Sequence, residues 1–108
     1  MPAALTAQTP ATAPIGRQEF WSLLVGLRDD SVRDREMALA ESATAVPDPV
    51  AVSRAVRLQR TIEEIDAALR RIADGSYGSC VHCGTAIPPE RLEFRPFAAG
   101  CVTCEQRR

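Results

Sequence analysis

The residues in this chain best suited to chemistry are its four cysteines. Cys80-Val81-His82-Cys83 is answered, after seventeen intervening residues, by Cys101-Val102-Thr103-Cys104. Each Cys-x2-Cys turn aims two sulfurs at one point, and the loop between is long enough to bring the second pair round. That is the spacing of a four-thiolate zinc site. Gly84, directly after Cys83, suits a tightening turn that needs a positive φ.

Four thiolates complete a tetrahedron and leave no position for water or substrate, so such a metal braces rather than reacts. His82 lies between two of the cysteines and is expected to be a solvent-facing turn residue, not a ligand. It is the only histidine, which leaves the serines and thiols without a plausible base partner. The acidic residues read as solvated helix faces. No enzymatic activity is expected. Structural zinc contributes about 10–16 kcal/mol in small finger peptides, a large stabilisation for a segment with so little core of its own.

Something must hold that finger. Helical character starts near Ile15–Arg17 and runs to about Thr44, with Phe20, Leu24 and Leu27 as one apolar stripe. Beyond Asp29-Asp30 the stripe fades through Ser31, Asp34, Ala38 and Glu41, and the helix is carried by propensity. Pro47 should end it. Asp48 and Pro49 then start a second helix, Asp48 as a cap and Pro49 at the first helical position, where a missing N–H costs nothing. Ala51, Ala55, Leu58, Ile62, Ile65, Leu69 and Ile72 recur at 4-3-4-3-4-3, the seam of a coiled coil, until Gly75 ends the helix. Two helices joined by so short a turn fold back antiparallel. Phe20, Leu24 and Leu27 then face Ile72, Leu69 and Ile65, while Ala38 and Ala45 face Leu58 and Ala51 near a slim tip.

The expected fold is mainly α: an antiparallel hairpin over residues 15–75 with its tip at 46–50, and a four-cysteine zinc finger over 76–108. Residues 1–14, rich in Ala, Thr and Pro, read as a disordered tail. They lack the basic and continuous apolar regions of a signal peptide, and no apolar run approaches the roughly 20 residues of a membrane span. A cytoplasmic protein is expected, with reduced thiols that favour metal over disulfides. Aromatic residues make up 5% of the 108, too few for a thick compact core, and a net charge of −1 argues against coating DNA or an anionic membrane.

The stretch "DGSYGSCVHCGTAIPPERLEFRPFAAGCVTC", residues 74–104, closely resembles the C4 zinc finger of the DksA/TraR family of bacterial transcription regulators. The matching features are Gly75, Tyr77-Gly78, the four cysteines, Gly84, Ile87, Arg91-Leu92-Glu93, Arg95-Pro96 and Ala98. The resemblance continues back into the hairpin, to about residue 17, with "PDPV" at the tip. It implies one structural zinc on Cys80, Cys83, Cys101 and Cys104, and a protein that binds RNA polymerase rather than DNA. In the family the finger sits at the rim of the secondary channel and the hairpin reaches toward the catalytic magnesium. With some members the alarmone ppGpp cooperates. The family's tip carries Asp-x-x-Asp-x-Ala; here the first acid is Asp48, Ala51 stands at the second and Ser53 at the final Ala. Asp48, Pro49, Val50, Ala51 and Ser53 are accordingly the candidate partner-binding residues, and the expected state is a monomer.

Two other readings remain. A nucleic-acid-binding zinc ribbon would need several phosphate contacts, yet residues 76–108 carry four Arg against three Glu, a balance of +1. A scaffold whose hairpin pairs with itself or with another coiled coil could use what Phe20, Trp21 and Val25 leave exposed at the base.

Overall fold

The computed structural model describes residues 16–44 and 46–107. The tail expected over 1–14, and the Ala45 contact, lie outside the described residues. Four helices follow in order: α1 (Arg17–Ser42), α2 (Pro49–Asp74), α3 (Pro89–Phe94) and α4 (Val102–Gln106). The described residues extend over 69 × 29 × 23 Å. Most of that length is the antiparallel hairpin of α1 and α2, each of 26 residues and so about 39 Å long.

The start and stop signals of α2 act as their chemistry requires. Asp48 is the N-cap, its carboxylate accepting from the Val50 N–H at 3.0 Å, and Pro49 follows it. At the other end Gly75 has φ +87. Its N–H reaches Ile72 O at 3.4 Å and the Ser76 N–H reaches Arg71 O at 2.9 Å, satisfying carbonyls that the helix leaves open. α1 ends at Ser42, two residues before the expected Thr44. There the Ser42 hydroxyl donates to Leu39 O at 3.0 Å, a local alternative to further helix.

The seam of α2 is buried at Ala51, Ala55, Ile62, Ile65, Ala68 and Ile72. On α1 the buried residues are Phe20, Leu24, Ser31 and Ala38. The stripe that fades in the sequence therefore continues in the structure through two small residues. Ser31 and Ala38 let the backbones approach, so the slim half of the hairpin has close packing in place of bulk. Among the described residues three pairs of side chains tie the helices together: Arg28 Nε to Asp66 Oδ1 at 2.6 Å, Arg35 to Gln59, and Arg54 to Glu41 at 3.6 Å. All are partly exposed and orient the helices more than they stabilise them.

The hairpin base and the finger share one core. Phe20, Leu24, Ile65, Ala68 and Ile72 pack with Cys80, Ile87, Leu92 and Ala98. Leu24 and Ile65 are the largest fully buried side chains. No helix is long and apolar enough to cross a membrane among the described residues.

Candidate metal centre

The finger opens where α2 stops. Ser79 and Ala86 pair as an isolated antiparallel bridge. Inside it, the Cys80 N–H donates to Thr85 O at 2.8 Å and the Gly84 N–H to Cys80 O at 2.9 Å. Gly84 takes φ +78, the left-handed conformation its position suggests. This turn carries Cys80 and Cys83. The other pair stands at the start of α4: Cys101 is its extended N-cap residue, Cys104 lies one turn on, and the Glu105 N–H closes on Cys101 O at 2.9 Å. A bond from the Val81 N–H to Ala99 O at 2.9 Å fastens the two halves together.

The four Sγ atoms all lie within 4.8 Å of one another, and Cys83 Sγ is 3.8 Å from Cys101 Sγ. A tetrahedron with metal–sulfur bonds of about 2.3 Å has edges of about 3.8 Å. All four cysteines are free thiols, so donor type, number and spacing fit one zinc ion. Cys80 is buried in the shared core, while Cys83 is exposed.

The surroundings prepare the sulfurs unequally. Hydrogen bonding from the Cys101 backbone, against the cost of burial and with help from the Cys83 and His82 backbones, holds the Cys80 thiol down at about 6. The Thr85 side chain, 3.2 Å from Cys83 Sγ, lowers Cys83 as well. The Cys101 side chain and then burial push Cys104 up to about 12. Cys80 and Cys83 are thus held low while Cys104 is held high. A divalent cation among the four sulfurs favours the thiolate form of them all. One structural zinc is the group this finger takes.

His82 is exposed in the turn. It borders Gly100, where an added Cβ would come 3.3 Å from His82 Cδ2 and 2.6 Å from Glu105 Oε2. Two bonds anchor the finger to its surroundings: Arg71 donates to Ala98 O at 3.4 Å and Tyr77 Oη donates to Pro96 O at 2.7 Å. A third, from Arg17 to Ile72 O at 2.7 Å, ties the start of α1 to the end of α2. Two Arg-to-carbonyl bonds and one Tyr-to-carbonyl bond are invisible to a reading that looks for charge partners.

At the far end of the hairpin, Val46 and Val50 stand 85% and 68% exposed, and Asp48, Pro49 and Ser53 are also exposed. Ala51 is 1% exposed. It belongs to the seam, so its side chain presents nothing to a partner.

Residues 75–108 match the model of the prokaryotic dksA/traR C4-type zinc finger. The finger belongs to that family. Over 51 residues the chain is 47% identical to the RNA polymerase-binding transcription factor DksA of Caulobacter vibrioides. The match takes in 47% of this chain and 36% of that protein, so it spans about a third of the relative's length. Likeness of fold reaches further. The structure of transcription factor DksA2 from Pseudomonas aeruginosa superposes with a TM-score of 0.70 at 27% identity, covering 96% of this chain and 92% of the other. The DnaK suppressor protein from Agrobacterium tumefaciens gives 0.67 at 25% identity, covering 90% and 97%. A dksA/traR-type finger on an antiparallel hairpin is thus the architecture of the whole described chain.

Proposed function

We propose that this chain is a DksA-like transcription regulator that binds RNA polymerase through the secondary channel and makes no sequence-specific contact with DNA. It works in the cytoplasm and catalyses nothing itself. The observation that carries this reading is the likeness to DksA2 over 96% of the chain, in a molecule 69 Å long and 29 × 23 Å across. A slim probe on a braced base suits insertion into a channel.

In this reading Cys80, Cys83, Cys101 and Cys104 hold the zinc, the finger of 76–108 seats on the channel rim, and the hairpin of 15–75 enters. The tip surface is Asp48, Pro49, Val50 and Ser53. One oxygen of the exposed Asp48 carboxylate accepts from Val50 N, so the tip presents a carboxylate with acceptor capacity left beside the apolar Val46 and Val50.

Binding to purified core polymerase tests the reading. The zinc-loaded chain should bind, and Val50→Asp should change transcription from a responsive promoter while leaving the fold intact. Wild type with no affinity for polymerase, or an unaltered response in Val50→Asp, would contradict it. Repeating the assay with ppGpp decides whether the alarmone cooperates.

A further inference from the structure

Phe94 is 92% exposed, the most exposed large apolar side chain among the described residues. The fold makes no use of its ring. Helix α3 docks through the buried Leu92, and it ends with the Arg95 N–H on Arg91 O at 2.7 Å, a backbone bond that any side chain at 94 would allow. Glu90 and Phe94 each stand two residues from Leu92, which sets both on the outer side of the helix, about one turn apart. Glu93 is exposed beside them. Arg95 does not balance these carboxylates. Its guanidinium lies 5.0 Å from the centre of the Phe97 ring and 4.0 Å from Glu64, turned back toward the hairpin. No described residue forms an ion pair with Glu90 or Glu93. The outer side of α3 is thus an uncovered aromatic ring with two unpaired carboxylates next to it.

Its place in the molecule bears on what could cover it. Glu64 lies ten residues before the end of α2 at Asp74, which is about 15 Å nearer the tip. Because Arg95 reaches Glu64, the finger climbs the hairpin at least that far. Phe94, the residue before Arg95, therefore stands on the shoulder where the finger gives way to the bare probe.

We propose that Phe94 is the anchor by which the finger seats on RNA polymerase, entering an apolar socket whose rim carries Arg or Lys side chains opposite Glu90 and Glu93. This rests on the polymerase reading given above. A probe that enters a channel is stopped at its shoulder, so the shoulder is what the channel mouth touches, and the socket belongs to that mouth. Interfaces draw most of their affinity from a few buried anchors, aromatic side chains prominent among them. Charges around such an anchor act more on orientation and on the rate of encounter than on affinity. Phe94 also falls between Arg91-Leu92-Glu93 and Arg95-Pro96, the residues that carry the family resemblance, and is not one of them. The seat is therefore a property of this chain and not of the motif around it.

Titration of purified core polymerase with the zinc-loaded full chain tests the proposal. Phe94→Ala should weaken binding at least about tenfold, with zinc content and helicity unchanged because the ring supports nothing in the fold. Glu90→Lys together with Glu93→Lys should slow association, and the slowing should fade at high salt. A photoreactive residue at position 94 should give adducts at the mouth of the secondary channel. Wild-type affinity in Phe94→Ala, or adducts from position 94 far from that mouth, would overturn the inference. Both results leave the polymerase reading standing wherever wild type itself binds. A wild type without affinity for polymerase overturns the reading and the inference together, so the two failures are told apart by wild type alone.

Discussion

The ring of Tyr77 sits 5.3 Å from the ring of Phe20, tilted by 53°, while its hydroxyl donates to Pro96 O at 2.7 Å. One side chain thus joins the first helix of the hairpin to the loop before the second cysteine pair. Truncating Phe20→Ala should cost about 3–5 kcal/mol, the usual loss for a buried aromatic, and should loosen the finger with the hairpin. Tyr77→Phe keeps the ring and gives up only the hydrogen bond, for about 1 kcal/mol. Chemical denaturation of both variants checks the order.

The same tyrosine gives a pH signature. Burial raises its phenol to about 12 from 10.0, with Arg71 opposing. Because the folded value lies above the unfolded one, the contribution is fully present below pH 10 and is lost as pH rises through 12. Between these values wild type should lose stability more steeply than Tyr77→Phe. Parallel slopes in denaturation at pH 9.5 and 11.5 would show that the phenol is not buried as described.

Metal removal should separate the two halves. Metal analysis should find one zinc per chain, and Cys80→Ser should lose it. Since Cys80 is part of the core shared with Ile65 and Ile72, chelation should disorder the finger and lower the melting temperature of the hairpin base. Most helical signal should survive, because the seam from Ala51 to Ile62 needs no metal. Loss of all helicity on chelation would mean that the hairpin depends on the zinc throughout.

Much of this arrangement was legible in the sequence because single residues declared it. Asp48-Pro49 and Gly75 marked both ends of α2, and the Cys-x2-Cys pairs marked the finger. Other features depended on three dimensions. Ser31 and Ala38 look like the decay of a stripe, and become its continuation only when the opposing helix comes close enough to need small residues. Arg17 and Arg71 look like surface charge, yet both donate to backbone carbonyls. A boundary near residue 75 is natural on the page, but the core runs straight across it.

Capping and charge at Asp48 can be told apart. Asp48→Ala removes the acceptor for Val50 N and should cost about 1 kcal/mol, while Asp48→Asn keeps an acceptor and should cost much less. Thermal melts of the two variants measure the difference, and equal losses would show that the carboxylate contributes by charge rather than as a cap.

Gly75 isolates a backbone effect. A Cβ there would meet nothing within 4 Å, but the residue sits at φ +87. Gly75→Ala should therefore cost about 1–2 kcal/mol through conformation alone, with the zinc retained. A neutral result in denaturation would mean that the helix can end another way.

The central claim is that the tip works inside RNA polymerase. Its most direct test places a photoreactive residue at position 50, where Val50 is exposed, and crosslinks the zinc-loaded chain to purified core enzyme. The account predicts adducts near the catalytic centre of the large subunits, lost when the secondary channel is blocked. Adducts confined to the outer surface of the enzyme, or none from a fully folded and zinc-loaded chain, would contradict it.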